Sequence, residues 1–478
     1  MTLTHILVFA AAAVPYLLLM PERGRKWALF VGSVIAIYWL QPKTTIRTLD
    51  FIFPSATLAL VGLTWLISRD KEQGWRREDT ISAAIMVGVM ILLTLERFFV
   101  ESIWLTPSRP PSPLMVGMGV GIVIGVLALI NQLPRLKVER SRLLVPGMLL
   151  IVVLFVILKT EPLAEEVSRR FRDQMGQSTA FASATELQWL GFSYVAFRLI
   201  HTLRDRQTKK LPALTLREYT TYAIFFPAYT AGPIDRADRF LTDLKTLPGP
   251  EPSRLVQAGM RIAVGIGKKF VIADSLAYFA LNATKSEQAH STGALWVMLY
   301  AFAFQIYFDF SGYTDIAIGI GQLFGIKLPE NFNQPYLKRN ITVFWQSWHM
   351  TLSQWVRDYV FLPLSRYLLK RKHKPGPVIL ALIGQMTTML IIGLWHGVVW
   401  HFVVWGLWHG TGLFIHKVWS DRTRFYYIRL RDHPRLGQGV QIVGVILTFH
   451  FVVLGWIWFA LPDMNVAWDV FLRVFGIA

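Results

Sequence analysis

The chain has 478 residues, of which 53% are hydrophobic, 14% aromatic and only 17% charged, and its mean hydropathy is +0.41. A soluble chain carries about 25% charged residues, so a water-facing globule is excluded, as are a collagen, a coiled coil and a disordered tail. The absence of cysteine also excludes a disulfide scaffold, thiolate metal sites, iron–sulfur clusters and a cysteine nucleophile. The net charge of +19 does not point to nucleic acid, because the basic residues sit in short loops between apolar runs, as in proteins whose partner is the lipid bilayer.

Many of those runs approach the ~20 residues that cross a hydrocarbon core. The expected fold class is an all-α polytopic membrane protein with about 11–14 transmembrane or re-entrant helices. Residues 3–20 lack a basic region before them and a small-residue cleavage site after them, so they read as a retained first span rather than a signal peptide. Further spans are expected at 27–40, 51–67, 81–99, 114–130 and 143–158, then at 187–200, 219–231, 260–281 and 294–307, and last at 378–394, 398–415 and 440–461.

Basic loops follow the odd-numbered spans. Arg23, Arg25 and Lys26 follow the first, and Arg69, Lys71, Arg76 and Arg77 the third. Arg135, Lys137, Arg140 and Arg142 follow the fifth, and Arg204, Arg206, Lys209 and Lys210 the seventh. The loop after the fourth has Arg109 as its only basic residue, while Lys43 and Arg47 after the second depart from the pattern. The rule places these basic loops in the cytoplasm and the N-terminus outside.

Composition changes near Thr160. Residues 1–160 form plain aliphatic spans, Glu96 and Arg97 excepted, and 161–180, with Glu161, Glu165, Glu166, Arg169, Arg170 and Arg172, form a polar surface segment. Residues 181–478 are dense in His, Trp, Asp, Asn and Arg. Ionisable groups at bilayer depth are costly and mark function by default, so this third region is the expected catalytic core.

Its strongest feature is Leu394-Trp395-His396-Gly397 inside an apolar stretch. A neutral imidazole there is a competent general base; the alternative is a histidine that packs helices together. A second Trp-His-Gly follows at 408–410. On one continuous helix His396 and His409 are roughly 220° apart, so with His401 they are not expected to hold a metal, and His409 is expected to serve packing. In residues 344–359, Trp345, Trp348, Leu352, Trp355 and Tyr359 form one helical stripe opposite Gln346, Gln354, Arg357 and Asp358. His349 falls at the edge of that stripe, as expected of an interfacial or re-entrant helix that offers a histidine to a cavity.

Residues 308–315 place Asp309, Ser311 and Asp315 where they interrupt an apolar helix. The two carboxylates fit either an acid/base pair or ion pairs with Arg339 or Arg357. Asn331, Asn333 and Gln334, between Pro329 and Pro335, form a polar break suited to lining a cavity. Gly265-Ile-Gly267-Lys268-Lys269 lacks the preceding strand and glycine spacing of a phosphate loop and is discounted.

Five stretches, 232–236 (Gly-Pro-Ile-Asp-Arg), 308–315, 329–336, 344–359 and 394–397, resemble in composition and order the membrane-bound O-acyltransferase family. The likeness is greatest to its bacterial polysaccharide branch, whose members O-acetylate alginate or transfer D-alanyl groups to teichoic acids. The resemblance implies helices around a central tunnel in the bacterial cytoplasmic membrane. It implies His396 as the essential histidine and His349 as the second; Trp348, Trp395, Asn331, Asp309, Ser311, Asp315, Arg357, Asp358 and His409 are expected to line the substrate tunnel or support the site. No bound cofactor or metal is expected. The co-substrate would be an acyl thioester, acyl-CoA or an acyl carrier protein, entering from the cytoplasm. The acceptor would be an envelope polysaccharide, or an extracytoplasmic acyltransferase partner. A thioester is already activated, so the reaction needs a base and a dry site rather than a nucleophilic side chain. The competing expectation is a transporter or flippase of envelope precursors, in which the same polar residues bind without making bonds.

Overall fold

A computed structural model describes residues 1–70, 74–99, 105–132, 140–429 and 432–477. Lys71, Arg135 and Lys137, used above to orient the chain, lie outside the described residues. The protein is 77% helical and has no strand among the described residues, which bears out the all-α polytopic class. Among the described residues, seven helices are long and apolar enough to cross a membrane: Leu49–Ser68, Arg77–Phe98, Pro113–Gln132, Ser141–Lys159, Thr292–Leu323, Pro377–His396 and Pro434–Ala460. The chain divides into two compact units, one of Met1–Ile262 with Ile316–Pro329, the other of Ala263–Asp315 with Glu330–Ala478.

The first unit opens with α1 (Leu3–Leu19), α2 (Glu22–Trp39), α3 (Leu49–Ser68), α4 (Arg77–Thr94), α5 (Pro113–Gln132) and α6 (Leu144–Lys159). These follow the apolar runs closely. The polar segment after Thr160 folds as the amphipathic α7 (Glu161–Gln174), which sets Ala164 against Ile46, Leu49, Phe53 and Leu187. At its C-terminal end Arg172 pairs with Glu186, which also accepts from the Ser168 hydroxyl at 2.6 Å and from Thr45. These bonds, the Arg172 contact first, hold the Glu186 carboxyl down at about 2.

Next come α8 (Phe192–Gln207) and α9 (Leu216–Ala223), the latter opened by reciprocal capping between Thr215 and Glu218. A continuous span at 219–231 was expected; the helix instead stops at Ala223, and Phe226–Ala228 forms a single 3-10 turn. The break is stabilised by Arg198, 1% exposed, which donates to the freed carbonyls of Ala223 and Ala228 at 3.0 and 2.8 Å. After the Gly-Pro-Ile-Asp-Arg motif, α10 (Ala237–Lys245) presents Arg239 to the buried Asp235. Then α11 (Pro252–Ile266) begins.

The expected span at 260–281 is also broken. After α11 the chain widens into a π turn over Gly267–Ala273, followed by α12 (Asp274–Ala277) and α13 (Ala283–Gln288). The second unit then takes the first part of α14 (Thr292–Leu323), and from Glu330 onward α15 (Ile341–Trp345), α16 (Met350–Val356) and α17 (Leu362–Leu369). It ends with α18 (Pro377–His396), α19 (Trp400–Arg429), α20 (Pro434–Ala460) and α21 (Met464–Arg473).

Two corrections bear on the site. Residues 308–315 do not interrupt α14, which runs unbroken for 32 residues. Residues 344–359 are not one helix: α15 ends at Trp345, α16 starts at Met350, and a second π turn occupies Arg357–Phe361. The single aromatic stripe drawn there therefore does not exist as a straight helical face.

Candidate active site

The break between α15 and α16 falls at His349, whose backbone lies in the left-handed region with φ 43° and ψ 54°. For a residue with a Cβ this conformation is costly and persists only where neighbours over-determine it. Asn331, fully buried, supplies that restraint. Its backbone carbonyl accepts from Met350 N–H at 2.9 Å, and its Oδ1 accepts from the Thr351 N–H at 3.1 Å and the Thr351 hydroxyl at 2.8 Å. Asn331 thus satisfies first-turn donors of α16 from outside the helix, in place of a local N-cap. Its Nδ2 has no hydrogen-bond partner among the described residues.

The strained backbone sends the imidazole of His349, 3% exposed, into an aromatic enclosure. Phe310 of α14 meets it edge-on at 4.7 Å, and Trp395 lies 5.8 Å away. The other side of the enclosure is built around Trp348, which packs on Phe332, Tyr336, Phe344 and Trp456 at 5.2–5.7 Å. Tyr336 anchors that cluster by donating to the Ala303 carbonyl at 2.7 Å and accepting from Trp456 Nε1 at 3.1 Å.

His396 is the last residue of α18, and Gly397 turns extended. Its ring contacts Trp395 at 4.6 Å, Phe459 at 4.8 Å, Phe402 at 5.5 Å and Trp405 at 5.7 Å. The α18–α19 hairpin that presents it is unusually close. A Cβ on Gly393 would stand 2.3 Å from the Phe402 carbonyl oxygen, and one on Gly406 2.8 Å from that of Met389. Small residues at such a crossing allow backbone-to-backbone packing in a bilayer. The two histidines named from the sequence therefore meet at a single indole, that of Trp395.

His409 lies on α19, separated from α18 by the break at Gly397, so the one-helix angle drawn from sequence does not apply. It is fully buried among Trp405, Trp345 and Phe451 at 4.9–5.9 Å. His401 is a separate case, with Nδ1 2.9 Å from the Trp458 carbonyl oxygen.

The carboxylates of α14 pair with lysines rather than with Arg339 or Arg357. Asp315 meets Lys268 at 2.7 Å, and Asp309 meets Lys269. Both lysines come from the π turn, and Gly312 lets it approach: a Cβ there would lie 2.7 Å from the Gly265 carbonyl oxygen. Between them, Ser311 is 3% exposed and its hydroxyl has no partner among the described residues. Arg357 pairs with the adjacent Asp358 at 3.0 Å and is largely exposed. The structure thus gathers His349, His396, Trp348, Trp395 and Asn331 with Phe310, Phe402, Trp405 and Phe459. The sequence reading missed these last four because an aromatic residue in an apolar run carries no signal of its own. It also passed over Lys268 and Lys269 when the glycine–lysine segment was discounted.

A family model described as MBOAT, membrane-bound O-acyltransferase family, matches residues 147–458. The chain is 32% identical over 288 residues to a teichoic acid D-alanyltransferase of Streptococcus thermophilus, covering 57% of this chain and 68% of that one. It is 33% identical over 292 residues to a probable alginate O-acetylase of Azotobacter vinelandii, covering 60% and 54%. It is 34% identical over 288 residues to a peptidoglycan O-acetyltransferase of Helicobacter pylori, covering 58% and 52%. The match thus spans little more than half the length of the latter two proteins. With the family model covering well over half its length, the chain belongs to the membrane-bound O-acyltransferase family.

Proposed function

We propose that the protein is a membrane-embedded O-acyltransferase that modifies hydroxyls of an extracytoplasmic envelope polysaccharide, with His396 as general base. The observation that carries this reading is the meeting of His349 and His396 across Trp395 in water-poor aromatic surroundings. In the proposed step the His396 imidazole takes the proton of an acceptor hydroxyl as its oxygen attacks the thioester carbonyl. The tetrahedral intermediate then collapses, the acyl–sulfur bond breaks, and the thiolate recovers the proton from the imidazolium. A base so placed contributes ~10²–10⁴-fold. The buried Nδ2 of Asn331, His349 or an indole N–H would donate to the oxyanion.

The acyl group is acetyl or D-alanyl, since the relatives' names divide between the two. The donor is a cytoplasmic thioester, acyl-CoA or acyl carrier protein, reaching the histidines through a tunnel from the cytoplasmic side. The acceptor is the polysaccharide itself or a partner acyltransferase outside the membrane. The protein resides in a bacterial cytoplasmic membrane with its N-terminus outside.

The test is mass spectrometry of envelope polysaccharide from cells that carry or lack the intact chain. Acyl esters that vanish with the gene and return with the wild-type chain, but not with the His396→Ala variant, support the reading. An unchanged ester content alongside altered export of polysaccharide would replace it with the transporter.

A further inference from the structure

A cleft of about 930 Å³ lies between α19 and α20, apart from the histidine pair. Arg339, Asn340, His416, Gln438 and Gln441 line it, and no carboxylate does among the described residues. Arg339 is exposed and has no ion-pair partner among the described residues. His416 is held through Nδ1, 2.9 Å from the Thr342 hydroxyl, which leaves Nε2 as its available nitrogen. The remainder of the wall is apolar, with Ile415 and Leu447 60% and 65% exposed. Trp419 and Tyr427 stand at the rim, both about half exposed.

The surroundings fix the depth of this cleft. Arg422, Arg424 and Arg429 follow Trp419 on α19, and Arg435 opens α20, so this is the basic end of both helices. Exposed Trp and Tyr beside a basic cluster mark headgroup level, with the hydrocarbon region beginning beyond them. A cation and amide groups there, bordered by exposed aliphatic side chains, suit an anionic partner that is itself amphiphilic.

We propose that this cleft binds an anionic phospholipid. Its phosphate sits on Arg339, with His416 and the Gln438 and Gln441 amides as further donors, and an acyl chain runs along Ile415 and Leu447. A soluble phosphate would satisfy the cation but leave the apolar wall without an occupant. A second copy of this chain would have to bring a carboxylate to the same place.

The full-length protein is reconstituted in nanodiscs of phosphatidylcholine alone or with phosphatidylglycerol. Melting temperature and lipid retained in native mass spectrometry are then read for wild type, Arg339→Gln and Gln441→Leu. Phosphatidylglycerol should raise the wild-type melting temperature and remain bound. Arg339→Gln should weaken retention roughly fivefold (about 1 kcal/mol) while melting like wild type in phosphatidylcholine. Gln441→Leu should weaken it in the same direction and serves alone if the arginine variant misfolds. Equal retention by wild type and both variants would overturn the proposal. So would the same stabilisation by inorganic phosphate in phosphatidylcholine discs, or dimers whose formation, not lipid, responds to Arg339.

Discussion

His349 and His396 share an indole: the Trp395 ring lies 5.8 Å from the first imidazole and 4.6 Å from the second. They arrive by different routes, one on a strained left-handed residue before α16, the other at the C-terminal end of α18. Trp395 therefore touches both rings. A Trp395→Ala change should impair transfer more than it impairs folding, because it removes a contact shared by both histidines while their other ring contacts and their backbones remain.

The general-base assignment has a sharp consequence. His396→Ala should insert and fold, yet lose at least ~10²-fold in specific activity. His409→Phe keeps the ring in a box of aromatic side chains and should retain most activity, whereas His409→Ala opens a cavity and should lower the melting temperature first. Specific activity per folded molecule separates these outcomes. Normal activity in the His396 variant would end the assignment.

Asn331 has two separable roles. Its Oδ1 accepts from Thr351, and its Nδ2 is unengaged by protein among the described residues. Asn331→Ala leaves the Thr351 donors without their acceptor, at a cost of about 1–3 kcal/mol, and should lower both stability and turnover. Asn331→Asp keeps the acceptor and removes the donor. If Nδ2 stabilises the oxyanion, the aspartate variant should stay folded and lose kcat with KM little changed. Full activity in that variant would leave Asn331 as a positioning residue only.

The two ion pairs of α14 should not be equivalent. Asp315 is 15% exposed against Lys268, whereas Asp309 is 48% exposed against Lys269. An exposed pair is worth about 0–1 kcal/mol, while removing one partner of a more buried pair strands the other. Asp315→Asn should therefore lower the melting temperature clearly and Asp309→Asn slightly. Lys268→Met combined with Asp315→Leu should recover part of the loss, and a strictly additive double variant would remove the coupling.

Long apolar runs such as those of α3, α5, α6, α18 and α20 were legible because their length and composition are local properties. The breaks were not, since each depends on a partner far along the chain. Arg198 caps carbonyls 25 and 30 residues away, and Asn331 holds the turn at His349 from 20 residues upstream of Thr351. Lys268 and Lys269 meet carboxylates 47 and 40 residues on. A helical wheel assumes regular backbone and so misplaced the face of His349. The histidines themselves stood out because a titratable ring inside an apolar run is costly wherever the chain folds.

Glu186 gives a pH test outside the spans. Its carboxyl, depressed from the usual 4.5 to about 2 by Arg172 and the hydroxyls of Ser168 and Thr45, binds protons less readily when folded than when unfolded. Its contribution to stability is therefore complete above about pH 4.5 and fades as pH falls through about 2. Glu186→Gln should melt below wild type at neutral pH, and the gap should close across that acid window. A gap that stayed constant with pH would mean the loss is packing rather than charge.

The last prediction concerns orientation. In the proposed orientation, read from basic residues after alternate spans, the N-terminus lies outside and the segments around Arg76 and Lys210 lie in the cytoplasm. Both residues are exposed, so a reagent on the correct side will reach them. The chain has no cysteine, so single Arg76→Cys, Lys210→Cys and Thr2→Cys variants report without background. In intact cells a membrane-impermeant thiol reagent should label the Thr2 variant and spare the other two, and permeabilisation should expose all three. Labelling of position 76 or 210 in intact cells would invert the topology. It would also remove the ground for proposing a thioester donor that enters from the cytoplasm, since that side is assigned from the same basic loops.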